Sequence, residues 1–179
     1  MQETRLSRRL EAAVQMVRKG KCAADVGCDH GKLCAALVTR GTCPYVVATD
    51  IHEDPLAKAQ GLFWELGIDE STRAVLCDGL AGVRPNEVDD IVIAGVGADT
   101  VLHIIDDCDW LKDENKRLIL VPASHHERVR AGLAARGFAV LQEEPIFEAD
   151  VAYTVMLAAF DGQEKTLTAA ETHLGAITA

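Results

Sequence analysis

Asp25-Val26-Gly27-Cys28-Asp29-His30-Gly31 is the stretch on which the reading of this chain turns. Before it stands a short apolar run at 22–26 (CAADV). After it, Leu33, Ala36 and Leu37 recur at helical spacing over 32–40, and Gly41 stops the segment as a C-terminal cap does. A strand therefore runs through a glycine turn into a helix. Gly27 lets the chain turn tightly and lets a ligand approach bare backbone, while Gly31 permits close contact where the helix begins. The pattern is D-x-G-x-x-x-G, not the G-x-G-x-x-G whose helix terminus cradles a pyrophosphate. Asp25 and Asp29 place negative charge where a dinucleotide would bring its own. The turn therefore suits a ligand carrying an ammonium or a sulfonium.

Working outward, the same alternation recurs. The β-branched and aromatic run at 45–49 (YVVAT) predicts a strand with Asp50 at its end, followed by a helix over 52–67 with Leu56, Ala59, Phe63 and Leu66 on one stripe. Pro55 is tolerated in the first turn of that helix. A brief strand at 74–76 runs into Cys77, Asp78 and Gly79. The run at 90–94 (DIVIA) reads as a buried strand bounded by Gly95 and Gly97, and Val101, Leu102, Ile105 and Cys108 then mark a helix. Residues 118–121 (LILV) predict a fifth strand and 125–136 a further helix ended by Gly137. Two last strands, at 138–141 and 152–160, have no helix-length segment between them, so they form an antiparallel pair. Short apolar strands alternating with amphipathic helices give an α/β fold, a mostly parallel seven-stranded sheet with helices on both faces and an antiparallel C-terminal hairpin. That order resembles the Rossmann-like sheet of the class I methyltransferases.

Composition sets the outer limits. The chain has 179 residues, 49% of them hydrophobic and 26% charged, with 18 Lys and Arg against 28 Asp and Glu for a net charge of −10. This excludes a disordered tail, a fibrous repeat and a bulk polycationic nucleic-acid binder. No apolar run reaches the roughly 18 residues a membrane span needs. With no apolar signal-peptide centre near the N-terminus either, the expectation is a cytoplasmic protein without membrane contact. The six cysteines form no C-x-x-C pair, and the first four have five, five and eight residues between them. They read as small packing residues, and no metal site is expected. His125-His126 forms no metal pair either, since adjacent residues do not share a helix face.

Charge is unevenly spread. Residues 1–21 hold six basic side chains (Arg5, Arg8, Arg9, Arg18, Lys19, Lys21) against Glu3 and Glu11. The segment reads as an amphipathic helix over 4–19, docking Leu6, Leu10, Val14 and Val17 on the domain while its arginines face water. A phosphate backbone is the partner such a face would meet. The catalytic domain is expected to span 1–160, with this helix included, and 161–179 to form a short Ala/Thr-rich tail with a frayed helix.

Ligands of doubly wound sheets bind beyond the carboxyl ends of the strands, at the switch in strand order. The candidate residues stand there. Asp50, with Ile51 beside it, ends the second strand, where a carboxylate can accept both hydrogens of a ribose diol. Asp78, followed by Gly79, is placed to accept from an adenine amino group. Gly95 and Val96 follow the fourth strand, bare enough for cofactor and target to meet above the backbone. Acidic loop ends in this succession fit S-adenosylmethionine. The candidate cofactor set is thus Asp25, Gly27, Asp29, His30, Gly31, Asp50, Ile51, Asp78, Gly79, Gly95 and Val96.

DVGCDHGKL, DIHEDPLAKA, CDGLAGV, VDDIVIAGVG and the late EADVAY together resemble the tRNA (adenine-22-N1)-methyltransferase family over roughly residues 6–160. The Cys28-Asp29-His30 stretch, standing where the family has S-D-H, is the most particular of these motifs. The resemblance implies a class I fold, S-adenosylmethionine as methyl donor and N1 of an adenine in tRNA as acceptor. On that basis Asp29 is the candidate catalytic residue beside the exocyclic amino group, and Tyr153 a candidate to stack on the base. The family has I-A-G-M-G-G after the fourth strand and Q-P-N after the fifth; this chain has Gly95-Val96-Gly97-Ala98-Asp99 and Val121-Pro122-Ala123. A C-terminal helical extension grips tRNA in the family, and the expectation is that 161–179 is too short to supply it. Two alternatives remain open at this point. One is a methyltransferase of the same fold acting on another RNA or a small molecule. The other is a non-catalytic cofactor-binding remnant. Oligomeric state is not legible.

Overall fold

The computed structural model describes residues 5–175. The expected helix at residue 4, Glu3, and the tail end at 176–179 lie outside the described residues. Within them, β1 (Ala23–Val26), β2 (Val46–Asp50), β3 (Thr72–Leu76), β4 (Asp90–Ala94), β5 (Arg117–Val121), β6 (Phe138–Glu148) and β7 (Val151–Phe160) form one sheet. Its order is β3-β2-β1-β4-β5-β7-β6, parallel from β3 to β5 and antiparallel at β7 and β6. This is the expected mostly parallel seven-stranded methyltransferase sheet with its C-terminal hairpin.

Side-chain alternation along the strands divides the core in two. Ala23, Val46, Ala48, Val92, Ile119 and Val155 face α1 (Arg8–Met16), α2 (Lys32–Thr39) and α3 (Glu53–Leu66). Their neighbours Ala24, Val47, Ile91, Ile93, Leu118, Leu120 and Met156 face α4 (Ala98–Asp106) and α5 (His126–Ala135). The units starting from β1 thus cover one face and those from β4 the other. The switch falls between β1 and β4, and a crevice opens there.

Three expectations are corrected. The N-terminal helix is shorter than 4–19, because the chain becomes extended at Val17 (ψ 131°). Its arginines do not simply face water. Arg18 donates through Nε and Nη2 to Asp90, a fully buried carboxylate, at 2.8 and 2.6 Å. Arg8 donates its amide to Glu148 at 2.7 Å and its guanidinium to the Phe147 carbonyl at 3.1 Å. A buried Asp90 carries a desolvation cost, and its hydrogen-bonded pairing with the Arg18 cation offsets it. Finally, β6 runs on past 141 to Glu148. Leu141 sits at a register shift between Val140 and Gln142, and beyond it Glu143, Pro145 and Phe147 pair with β7. A proline is tolerated there because β6 is the sheet edge. The tail forms α6 (Ala169–Leu174), capped by reciprocal Thr168–Glu171 hydrogen bonds and held through Arg130 to the Thr172 carbonyl (2.8 Å).

Four cysteines (Cys28, Cys34, Cys43 and Cys108) are buried, and all six are free thiols. Burial pushes Cys43 and Cys108 up to about 12. Among the described residues, no cluster of three or more His, Cys, Asp and Glu could hold a metal ion, and no helix is long and apolar enough to cross a membrane.

Candidate functional site

The crevice at the switch point is a cavity of about 510 Å³, within the range of small-molecule sites. Hydrogen bonds between neighbouring strand tips build its floor. Thr49 accepts from the amides of Gly27 and Cys28 at 2.9 Å each, which sets the glycine turn against β2. The Thr49 hydroxyl donates to the Gly79 carbonyl at 2.8 Å and so draws in the loop after β3. Gly95 donates to the Val121 carbonyl at 2.9 Å, closing the β4 side.

Asp25, Gly27, Asp29, His30, Asp50, Ile51, Asp78, Gly79, Gly95 and Val96 all line this one cavity. Gly27 (φ +72°) and Gly95 (φ +80°) occupy the left-handed region, and a Cβ on either would meet nothing within 4 Å. Their backbone is therefore presented bare to the cavity. Asp50 accepts from the amides of His52 (3.0 Å) and Asp29 (3.3 Å), one on each carboxylate oxygen. These contacts orient the carboxylate and leave each oxygen further lone-pair capacity.

Asp25 lies deepest. It is 4% exposed, and burial pushes its carboxyl up to about 6 against the pull of the Cys34 thiol, which donates to it at 3.2 Å. The nearby Asp50 and Asp29 raise it further. Asp29 itself is exposed and adopts φ +51°, an uncommon conformation for a non-glycine residue. Its carboxylate lies 3.5 Å from Nδ1 of His30, whose Nε2 is 3.3 Å from the Lys58 ammonium.

Two expected residues are placed elsewhere. Gly31 is buried behind the wall, where an added Cβ would stand 2.7 Å from Ala59 and 2.8 Å from Phe63. It serves the packing of α2 on α3. Tyr153 does not line the cavity; its ring lies under the Arg9 guanidinium, 4.6 Å from the centroid, so Arg9 covers a face that base stacking would use.

Arg9 itself lines the cavity, as do Leu10, Lys32, Thr49, His52 and Thr100, none of which the sequence reading placed at the cofactor site. Thr49 precedes the Asp50 tip and was accessible to the same reasoning. Arg9 was not, because nothing local in the sequence brings the first helix to the strand tips.

Comparison with known proteins agrees with this geometry. The family described as "Methyltransferase domain" matches residues 6–156. A Bacillus subtilis tRNA (adenine(22)-N(1))-methyltransferase is 28% identical over 158 residues, which cover 88% of this chain and 66% of that protein. The chain therefore spans just under two thirds of that relative's length. The solved structure of the B. subtilis tRNA methyltransferase TrmK superposes with a TM-score of 0.89 at 27% identity, covering 97% of this chain and 76% of that one. A Streptococcus pneumoniae protein solved in complex with S-adenosyl-L-methionine gives a TM-score of 0.88 at 29% identity, covering 96% and 80%. Because the family match runs from the first helix into β7, and so takes in every wall of the cavity, the chain belongs to the methyltransferase domain family and is similar to its tRNA (adenine-22-N1)-methyltransferase members.

Proposed function

We propose that this protein transfers a methyl group from S-adenosylmethionine to N1 of an adenine in tRNA, in the cytoplasm. The observation that carries the reading is the gathering of Asp25, Asp29, Asp50 and Asp78 around one cavity floored by the bare backbone of Gly27 and Gly95. Four carboxylates disfavour a pyrophosphate and attract a cationic nucleoside. When bound, S-adenosylmethionine supplies a methyl group on a positively charged sulfur.

The chain's own residues divide the remaining work. Asp50, oriented by two backbone amides, accepts from ribose hydroxyls, and Asp78 from the adenine amino group. Gly27 and Gly95 let the ligand lie against the main chain. Adenine N1 carries an in-plane lone pair and needs no base to expose it, so the protein mainly positions the reactants and stabilises developing charge. Asp29, exposed at the rim and oriented by its backbone and by His30, is placed to accept from the target's exocyclic amino group. Positive charge grows on that amino group as N1 becomes methylated.

Incubating the protein with tRNA and radiolabelled S-adenosylmethionine tests the reading. Label is expected in tRNA and lost when the D-loop adenine is replaced. Cofactor binding without label in any RNA would overturn it.

A further inference from the structure

The packing of α3 on the start of α2 reaches the cavity rim through two polar side chains. An added Cβ on Gly31 would stand 2.7 Å from Ala59, so the two segments meet at a distance that only glycine allows. His30 and Lys58 immediately precede the two residues of that contact. The close approach thereby sets the exposed Lys58 ammonium 3.3 Å from Nε2 of His30, whose ring lines the cavity. An ammonium has three donors and no acceptor. Nε2 is therefore the bare nitrogen of a neutral imidazole, and the ring's proton lies on Nδ1, the nitrogen 3.5 Å from the Asp29 carboxylate. The Nε2–H form predominates in a free histidine, so this tautomer is one that the fold imposes. Asp29 depends on it. Its side chain is 76% exposed and has little else to fix its rotamer. A proton on Nδ1 attracts the carboxylate, whereas a lone pair there would repel it.

We propose that Lys58 is a positioning residue for methyl transfer: from α3 it fixes the tautomer of His30, and His30 in turn holds the Asp29 carboxylate at the cavity rim. The proposal rests on the reading of Asp29 as the group that meets the methyl acceptor. Lys58 itself touches neither reactant. It acts through one ring whose two nitrogens face a donor on one side and a carboxylate on the other. Removing the donor frees the imidazole to take its commoner form, which turns a lone pair toward Asp29 and lets that side chain swing into solvent.

Nitrogen NMR of the histidine rings in the full chain, at about pH 8 and so above the ordinary histidine range, reads the tautomer directly. His30→Gln identifies the His30 signals by their loss. The parent chain is expected to carry the His30 proton on Nδ1, and Lys58→Met to move it toward Nε2. In parallel, Lys58→Met should lower kcat for methyl transfer about 3- to 10-fold and leave the KM values within about 2-fold of the parent's. Lys58→Arg, which also has donors and no acceptor, is expected to restore both the tautomer and the rate. A His30 proton on Nε2 in the parent overturns the proposal. So does a loss of turnover with the tautomer unmoved, a moved tautomer with full turnover, or equal losses in Lys58→Met and Lys58→Arg. Thermal melts establish that the variants fold, and Lys58→Ala replaces Lys58→Met should that variant not fold. A parent chain that transfers no methyl group overturns the reading of the function instead, and the tautomer of His30 in the parent and in Lys58→Met still decides for or against the role of Lys58.

Discussion

Asp25 folds into a place where its charge is unwelcome, and pH should reveal it. Its carboxyl titrates near 6 in the folded protein and near the ordinary 3.8 when unfolded. The folded state therefore holds the proton more tightly, so the associated stability is complete below about pH 4 and lost as pH rises through about 6. At roughly 1.4 kcal/mol per unit, about 3 kcal/mol is involved. Asp25→Asn, which stays neutral, should gain up to about that much over the parent chain between about pH 4 and pH 7 in urea unfolding. A difference independent of pH would remove burial as the cause. At the rim, Asp29→Ala should lower methyl transfer about 10- to 100-fold while cofactor affinity changes less, because its exposed carboxylate addresses the target and is one of four that attract the cofactor. Unchanged turnover with intact binding would take Asp29 out of the mechanism.

At the scale of elements, the β6–β7 hairpin departs furthest from its sequence signal. It turns through Ala149 (φ +49°) and Asp150 (φ +63°), the two positive dihedrals that a tight two-residue hairpin turn demands. Asn-Gly or Asp-Gly is the usual signal for such a turn, and alanine gives none. An L-alanine in the left-handed region costs about 1 kcal/mol. Ala149→Gly should therefore raise stability by a few tenths to about 1 kcal/mol, the relief of strain being partly offset by glycine's greater freedom when unfolded. A denaturant midpoint that falls instead would show that the turn is not strained. The extension of β6 escapes the period-two pattern for a related reason. Its far half is an edge carrying Gln142, Glu143, Glu144 and Pro145, and pairing with β7 together with the buried Glu143–Arg130 ion pair (2.7 Å), not an alternating apolar face, holds it as a strand.

For the whole molecule, net charge and local charge pull in opposite directions. If the chain binds tRNA as proposed, a net charge of −10 requires that its cations be presented locally. Several basic side chains of the N-terminal segment are committed internally, Arg18 to Asp90, Arg9 to Glu148 and Arg8 to the Phe147 carbonyl. Arg5 and Lys19 are exposed. If they meet phosphates, Arg5→Ala and Lys19→Ala should each lower the slope of log affinity against log salt by about one, uniformly across tRNA sequences. Slopes equal to the parent's would move the RNA contact away from the first helix.

By itself the sequence determined the sheet, its helices and the acidic rim of the cavity. Strand and helix periodicities are local, and a residue just after a strand is carried to the sheet's carboxyl end whatever the rest of the chain does. Asp25, Asp29, Asp50, Asp78 and Gly95 were legible for that reason. Only the tertiary structure decided that Arg9 reaches the cavity, that Tyr153 supports it from outside the wall, and that Gly31 serves helix packing. These outcomes depend on contacts between distant segments, such as the Arg8–Glu148 bond across 140 residues. No local pattern encodes a contact of that range, because its energy exists only once both segments are already in place.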